Sequence, residues 1–283
     1  MMPELPEVET IRRSLCPHLI GQTICQADFA RFDILRSRPG FSKVTPAEAA
    51  RLSTGAVVTG LDRWGKYLLM QLDGTWGWAI HFGMSGTFRL KSTEEIDAHT
   101  HVRFLLSSGD WLSFRDPRRF GSWTRIDRAD LVEAVNGWVG LDLLAPALDW
   151  TRFRALLSKS ESPIKSRLLD QRFISGLGNI YVDEALHAAG IAPFRPSRTL
   201  TDDEWRALFR AAQRVVRAGI HHRGTTLSDY NDVNGNVGDH SSYLRVYGRA
   251  GQRCPKCRTV IEKVKFRGRG THFCPACQSA NGR

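Results

Sequence analysis

The feature that most constrains the fold is a pair of Cys-x-x-Cys motifs near the end of the sequence. The chain reads Cys254-Pro-Lys-Cys257, then sixteen residues, then Cys274-Pro-Ala-Cys277. Four thiolates at this spacing are typical of a structural zinc ribbon, in which protein ligands fill every coordination position. Because so short a segment buries little apolar surface, metal binding would supply its folding free energy. We predict one structural Zn²⁺ bound by Cys254, Cys257, Cys274 and Cys277, with a pair of disulfides as the alternative.

The charge balance favours a polyanionic partner. The 283 residues include 40 Lys and Arg against 29 Asp and Glu, a formal net charge of +11. An excess of this size usually indicates nucleic-acid binding. The first twenty residues hold three glutamates and no long apolar run, and no stretch approaches eighteen apolar residues. We therefore expect neither a secretory signal nor a membrane span, and the unpaired Cys16 and Cys25 suit a reducing compartment.

Hydrophobic periodicity divides the chain into a mixed first part and a helical second part. Helical spacing begins after Pro6, a residue suited to a first helical turn. Two hairpin patterns follow, around Asp73-Gly74 and around Ser108-Gly109-Asp110, which predicts a β-sandwich or barrel over residues 57–124.

Helices resume after residue 150. Thr201 and Glu204 form a capping box before an apolar stripe, whereas residues 223–242 lack periodicity and predict a loop. Gly176 and Gly178 precede another helical pattern, whose free N–H groups can bind a phosphate, and Asn179 can cap that helix or bind the phosphate itself. A simple tight turn is the alternative explanation for these glycines.

Several motifs in order resemble the formamidopyrimidine-DNA glycosylase family of bacterial base-excision repair enzymes. They are PELPEVET, GKYLL, HFGMSG, DPRRFG, GLGNIYVDEAL, GTTL, VYGR and the paired Cys-x-x-Cys motifs, spanning residues 3–277. The resemblance implies an α+β multidomain fold: an N-terminal β-sandwich (1–140), a helical domain with a helix–two-turn–helix motif (150–245) and a C-terminal zinc finger (246–283). It implies a cytoplasmic enzyme that binds damaged double-stranded DNA, excises 8-oxoguanine and formamidopyrimidine lesions, and cleaves the abasic strand. We expect a monomer.

The resemblance also implies a nucleophile at Pro3. An internal prolyl nitrogen is an amide with no available lone pair, whereas an N-terminal proline is a secondary amine that can attack C1′ of the deoxyribose and form an iminium. Because Met2 would block this amine, we expect translation to start at Met2, with Met1 an artefact of the assigned start. Read without the resemblance, Pro3 is an ordinary helix-entry proline.

Further roles follow from the same resemblance. By this resemblance Glu4 would be the general acid and Glu7 would help to orient the site, although both are also favourable charges at a helix start. Lys66 would contact the phosphate flanking the lesion and donate a proton in β-elimination. Arg269 would contact phosphate in δ-elimination, where its permanent charge makes the expected role mainly electrostatic.

The DNA contacts implied by the resemblance lie in both parts of the chain. Met84, Arg118 and Phe120 would fill the void left by a flipped nucleotide, with Arg118 bonding the orphaned cytosine. His99 would contact DNA, and Asn179 would contact a backbone phosphate. Two core residues and a surface arginine are the structural alternative for the void-filling set.

Two regions depart from the family pattern. A family lysine has no clean counterpart between Lys159 and Lys165, so no site is assigned there. The lid over the flipped base is expected near residues 225–243, where Asp239 and His240 replace a frequent aromatic pattern. His81 is interpreted as structural. Two other functions remain open: an endonuclease VIII-like glycosylase for oxidised pyrimidines, and a non-catalytic damage-binding relative with a blocked N-terminus.

Overall fold

The computed structural model describes residues 2–38, 41–94, 96–226, 232–233 and 235–279. The chain forms two compact units, Met1–Trp138 with His222–Asp239 and Val139–His221 with His240–Arg283. No helix in the described part of the chain combines the length and apolarity needed to cross a bilayer.

Within its described residues, the first unit is a β-sandwich with three α-helices. Its helices are α1 (Leu5–Leu19), α2 (Pro46–Ser53) and α3 (Leu131–Asn136), with a 3-10 turn at Phe32–Ile34. Its strands are β1 (Ile24–Phe29), β2 (Val58–Trp64), β3 (Tyr67–Leu72), β4 (Trp76–His81), β5 (Thr87–Lys91), β6 (Thr100–Leu106), β7 (Trp111–Arg115) and β8 (Ser122–Ile126). Both predicted hairpins are confirmed, as β3–β4 and β6–β7.

The two sheets of this unit are antiparallel and pack through aromatic side chains. One sheet has the strand order β1-β6-β7-β5 and the other β2-β3-β4-β8. Trp123 of β8 is buried between them, with ring centroids 5.6 Å from Phe29 of β1, 5.8 Å from Phe104 of β6 and 5.7 Å from Phe114 of β7. Edge-to-face pairs of this kind add to the free energy of apolar burial, so Trp123 joins the two layers.

Helix α1 begins as its sequence predicts. Pro6 occupies its first turn, and Val8, Ile11 and Leu15 are buried at helical spacing. These residues belong to the sandwich core, so burial of the apolar stripe stabilises the helix.

The second unit is mostly helical and ends in a hairpin. Its elements are β9 (Leu141–Asp142), α4 (Trp150–Leu157), α5 (Ile164–Leu169), β10 (Ile174–Ser175), α6 (Asn179–Ala189), α7 (Asp202–His221), β11 (Glu262–Phe266) and β12 (Arg269–Phe273), with 3-10 turns at Ser197–Thr199 and His240–Tyr243. The capping box at Thr201 is confirmed: its N–H donates to Glu204 Oε2 over 2.8 Å, and the Glu204 N–H donates to Thr201 Oγ1 over 3.3 Å.

The predicted phosphate-binding turn needs one refinement. Gly178 is the N-cap of α6 and Asn179 is the first helical residue, so Asn179 does not cap this helix. Gly176 has φ 111°, a backbone conformation that favours glycine, which explains the first glycine of the motif.

Part of the predicted 223–242 loop lies outside the described residues, namely 227–231 and 234. Within the described part, Asp239 pairs with Thr225 in an isolated bridge. His240 is buried and stacks on Tyr181 with 5.7 Å between ring centroids.

Candidate functional site

The four predicted metal ligands converge. Their sulfur atoms all lie within 4.8 Å of one another, with 3.9 Å between Cys254 and Cys277 and 3.3 Å between Cys257 and Cys274. Tetrahedral Zn–S bonds of about 2.3 Å separate sulfurs by about 3.8 Å, whereas disulfide sulfurs lie about 2.05 Å apart. Hydrogen bonds to Thr259 lower the pKa of Cys257 to about 6, whereas burial raises the pKa of Cys274 and of Cys277, so the convergence of the four sulfurs carries the assignment. The cluster therefore fits one structural zinc ion, and the disulfide alternative is wrong.

Helix α6 supports this cluster through His187. Its Nε2 lies 3.4 Å from Cys254 Sγ. Burial, followed by the charges of Lys256 and Arg245, lowers the pKa of His187 to about 4, so the ring is neutral at physiological pH. A neutral ring can donate Nε2–H to the sulfur, and such outer hydrogen bonds orient metal ligands.

The β11–β12 hairpin presents Arg269 to solvent just after its turn. Arg267 and Gly268 both have positive φ, 46° and 77°, and Arg269 pairs with Phe266 across the turn. Asn179 Nδ2 donates to the Gly270 carbonyl over 2.9 Å. The structure thus brings Asn179 to the backbone directly after Arg269. Asn179 and Arg269 were predicted separately as phosphate contacts.

A buried ion pair beneath this hairpin was not predicted. Lys165 is 1% exposed, and its Nζ donates to Asp183 Oδ1 over 2.6 Å, to Thr271 Oγ1 over 2.9 Å and to the Gly270 carbonyl over 3.2 Å. The His272 N–H donates to Asp183 Oδ2 over 2.8 Å. The apolar neighbours Ile164 and Leu168 are the only sequence signal that Lys165 lies on a buried helix face.

At the other end of the chain, Pro3 and Glu4 are buried immediately before α1. The Glu4 N–H donates to Glu7 Oε2 over 2.8 Å, and the Thr225 N–H donates to Glu7 Oε1 over 2.8 Å. Glu7 therefore holds the backbone next to Pro3. Its partnership with Thr225, 218 residues away, has no spacing signal in the sequence.

Lys66 lies in the turn between β2 and β3, one residue before β3 begins. Its side chain is largely buried, with 7% of the residue exposed. Its charge contributes to the lowered pKa of His81, the residue that pairs with Tyr67 across β3 and β4. His81 Nδ1 accepts a 3.1 Å hydrogen bond from the Gly83 N–H, which agrees with the structural role predicted for this histidine.

The three predicted void-filling residues occupy two adjoining segments. Met84 is half-buried, Arg118 is exposed and Phe120 is 50% exposed, with the Arg118 guanidinium 5.3 Å from the Phe120 ring centroid. The segments touch at Gly83, where an added Cβ would lie 2.3 Å from the carbonyl carbon of Phe120. His99 is half-buried in the turn before β6.

Family models match nearly the whole chain. Residues 2–123 match the N-terminal domain of formamidopyrimidine-DNA glycosylase, residues 139–231 its H2TH domain, and residues 251–280 a zinc finger found in Fpg and IleRS. These matches, with the observed sheets, helices and cysteine cluster, confirm the predicted fold class.

Individual relatives align with nearly the full length of this chain. The formamidopyrimidine-DNA glycosylase of Moorella thermoacetica is 45% identical over 93% of this chain and 95% of its own, and that of Herpetosiphon aurantiacus is 40% identical over 98% and 100%. The crystal structure of the Thermus thermophilus MutM (Fpg) protein superposes with a TM-score of 0.85 at 41% identity, covering 99% of this chain and 100% of that one.

A Lactococcus lactis Fpg mutant complexed with a Fapy-dG-containing DNA superposes with a TM-score of 0.89 at 31% identity, covering 98% of this chain and 100% of that one. Identity of this degree over three consecutive domains, with the cysteine cluster in place, leads to one conclusion: the chain belongs to the formamidopyrimidine-DNA glycosylase family.

Proposed function

We propose that this protein is a bifunctional DNA glycosylase and abasic-site lyase acting in base-excision repair. It excises 8-oxoguanine and formamidopyrimidine lesions and cleaves the strand by β,δ-elimination. The observation that carries the proposal is that relatives named formamidopyrimidine-DNA glycosylase align with this chain over nearly its full length at 40–45% identity. A mutant of Lactococcus lactis Fpg has been solved with Fapy-dG DNA and Lactococcus lactis Fpg with abasic-site DNA, the substrate and the intermediate of such a reaction.

The proposed chemistry begins at Pro3 of the mature protein. Its secondary amine attacks C1′, the bond from C1′ to the damaged base breaks, and the base leaves with a proton that Glu4 supplies. The C1′–O4′ bond then breaks, with O4′ taking up the proton that the amine loses, and the opened sugar is left as an iminium. This iminium acidifies the C2′ proton, whose loss expels the 3′ phosphate; a second elimination expels the 5′ phosphate. The hydrogen bond from the Glu4 N–H to Glu7 supports this role, because it orients the peptide beside the nucleophile.

Cationic groups stabilise the phosphates that leave. Lys66 contacts the phosphate flanking the lesion and donates a proton during β-elimination, and Arg269 contacts phosphate during δ-elimination. Asn179 binds a backbone phosphate beside Arg269, an arrangement supported by its hydrogen bond to Gly270. A fixed positive charge stabilises a developing phosphate dianion most strongly where water is excluded.

Recognition requires the damaged nucleotide to leave the base stack. Met84, Arg118 and Phe120 fill the void, Arg118 hydrogen-bonds the orphaned cytosine, and His99 contacts the DNA. The exposure of Arg118 and Phe120 supports this assignment, since a core phenylalanine would be buried.

The remaining assignments concern the scaffold. Cys254, Cys257, Cys274 and Cys277 ligate Zn²⁺, which stabilises the finger and takes no part in the reaction. The domains extend over 1–140, 150–245 and 246–283. The protein acts as a cytoplasmic monomer held at the nucleoid by its affinity for DNA, which its charge of +11 supports.

Borohydride trapping on an 8-oxoguanine:cytosine duplex tests the proposal. A chain processed to begin at Pro3 is expected to form a covalent protein–DNA adduct, because borohydride reduces the iminium. A matched chain that retains Met2 is expected to form none, since its prolyl nitrogen is an amide. The Pro3→Gly variant, with a primary amine, is expected to trap more slowly.

Three outcomes would contradict the proposal. An adduct from the Met2-bearing chain would exclude Pro3 as the nucleophile. Binding of the lesion duplex by the Pro3-first chain without any adduct would indicate a non-catalytic damage-binding protein. Faster excision from a thymine-glycol duplex than from 8-oxoguanine:cytosine would indicate an endonuclease VIII-like preference.

A further inference from the structure

Asp116 lies at the base of the loop that carries Arg118 and Phe120, and its polar atoms connect several segments. It is fully buried. Its Oδ1 accepts a 2.5 Å hydrogen bond from Ser85 Oγ, and its Oδ2 accepts a 2.6 Å hydrogen bond from the Gly121 N–H. One carboxylate therefore joins the Met84–Ser85 turn to the far end of the 116–121 loop.

The backbone of Asp116 extends the same connections. Its N–H donates to the His99 carbonyl over 2.9 Å, and its carbonyl accepts from His101 Nε2 over 2.9 Å. Asp116 thus also contacts the segment that carries His99. Removing one partner would leave a buried polar group without its hydrogen bond, so the change weakens the local structure substantially.

The 116–121 loop needs such support because its backbone is strained. Residues 117–120 are exposed, whereas Asp116 and Gly121 are buried. Arg119, between the two predicted DNA contacts, has φ 57°, a conformation that is uncommon for a residue with a side chain. The Arg118 N–H donates to Ser85 Oγ over 3.0 Å, so the same hydroxyl both donates to Asp116 and accepts from the loop.

The backbone of the turn that carries Met84 and Ser85 is also constrained. Gly83 has φ 61°, and an added Cβ there would lie 2.5 Å from the Gly121 nitrogen. The turn and the loop therefore pack backbone to backbone at the position where Asp116 bridges them. Such close contact leaves little freedom for Met84 and Phe120 to move apart.

We propose that Asp116 and Ser85 are positioning residues for base flipping. Together they order the 116–121 loop and the Met84 turn in the free protein, in the same arrangement that fills the void once DNA is bound. The proposal rests on the proposed function, because it presumes that Met84, Arg118 and Phe120 enter the duplex. Inserting side chains costs unstacking free energy, and a preorganised loop avoids adding its own ordering cost to that penalty.

The test compares two variants with a matched control. Asp116→Asn and Ser85→Ala each remove hydrogen bonds of the network that Asp116 and Ser85 form. Asp110→Asn is the control, since Asp110 also accepts from a serine, Ser108 Oγ over 3.1 Å, in the turn at the opposite end of β7. Each Pro3-first protein is assayed on two substrates: an 8-oxoguanine:cytosine duplex in single-turnover excision, and a single-stranded abasic oligonucleotide in borohydride trapping.

The two substrates separate positioning from folding. Single-turnover excision from the duplex is expected to slow about 10- to 100-fold in both variants, the range expected when a buried polar group loses its hydrogen bond. Trapping on the single strand, which has no stack to open, is expected to stay within about twofold of wild type, since the chemical step is the same. The Asp110→Asn control should match wild type on both substrates.

A fluorescent base analogue supplies an independent readout. With 2-aminopurine next to the lesion in the duplex, wild type is expected to raise its fluorescence on binding, because insertion unstacks the neighbour. Asp116→Asn and Ser85→Ala should give a smaller rise at saturating protein.

The proposed positioning role would be refuted if either variant excised from the duplex at the wild-type rate. It would also be refuted if excision from the duplex and trapping on the single strand slowed by the same factor, which would indicate a general loss of folding. Failure of wild type itself to excise or trap would refute the proposed function instead. The two failures are therefore distinguishable in one set of assays.

Discussion

His81 ends β4 and points a ring nitrogen at the backbone next to Met84, where Nδ1 accepts from the Gly83 N–H over 3.1 Å. Burial, and then the positive charges of Lys66, Arg38 and Arg36, lower its pKa from 6.5 to about 4. At neutral pH the ring is therefore uncharged and Nδ1 keeps the lone pair that the Gly83 N–H requires. The sequence predicts a structural histidine, but its protonation state depends on the cations that the fold brings near it.

We predict that His81 titrates near pH 4 in the folded protein. The unfolded chain takes up the proton near pH 6.5, so the unfolded state binds more protons between these values. The free energy of unfolding therefore decreases as pH falls from 6.5 towards 4. NMR titration of the ring Cε1–H signal, assigned by its loss in His81→Gln, measures this value.

The denaturant-unfolding profile of His81→Gln is the control for this prediction. Its free energy of unfolding should depend less steeply on pH than that of wild type in the same window. A ring signal with a midpoint near 6.5 would contradict the inferred environment.

Among the elements, α5, α6 and the β11–β12 hairpin are joined by polar contacts rather than by apolar packing alone. Lys165 of α5 and Asp183 of α6 are both buried and share partners on the hairpin at Gly270, Thr271 and His272. The hairpin backbone beside Arg269 is thus held from two helices. Burying a charge is costly unless it is paired and hydrogen-bonded, so each partner depends on the other.

We predict that Lys165→Met lowers the free energy of unfolding by about 3–5 kcal/mol, because it leaves the buried Asp183 without its cation. Lys159→Met is the control: Lys159 is exposed in the same stretch, and changes at such positions usually stay within about 0.5 kcal/mol. Urea denaturation of the zinc-loaded proteins measures both. Equal stability of the two variants would show that the pair contributes little.

For the whole molecule, the excess of positive charge is the property most relevant to DNA. Neutralising phosphates releases counterions, so affinity for lesion-free duplex should fall steeply as salt rises. About four phosphate contacts already predict a loss of about 100-fold between 50 and 200 mM salt.

We predict that Arg269→Gln reduces the slope of log K against log salt by about 0.9, the contribution of one phosphate contact. Arg206→Gln is the control, since Arg206 lies on α7 over the Trp150 ring and has no predicted DNA contact. Fluorescence anisotropy with an undamaged duplex measures both slopes. A slope for Arg269→Gln equal to that of wild type would exclude its phosphate contact.

Local signals in the sequence determined much of this protein. The cysteine spacing, the capping box at Thr201, the β3–β4 and β6–β7 hairpins and the apolar stripe of α1 all arise from neighbours within a few residues or one short motif. Such patterns can be read directly because helix and strand geometry repeat every few residues. The motifs and their order in the sequence are likewise sufficient to identify the family.

Only the tertiary structure decided which buried polar groups meet. Glu7 binds the N–H of Thr225 across 218 residues, Lys165 binds Thr271 across 106, and Ser85 binds Asp116 across 31. No periodicity links such distant positions. A buried charge or N–H that lacks a partner destabilises the fold, and such distant partners meet only once the apolar core has packed.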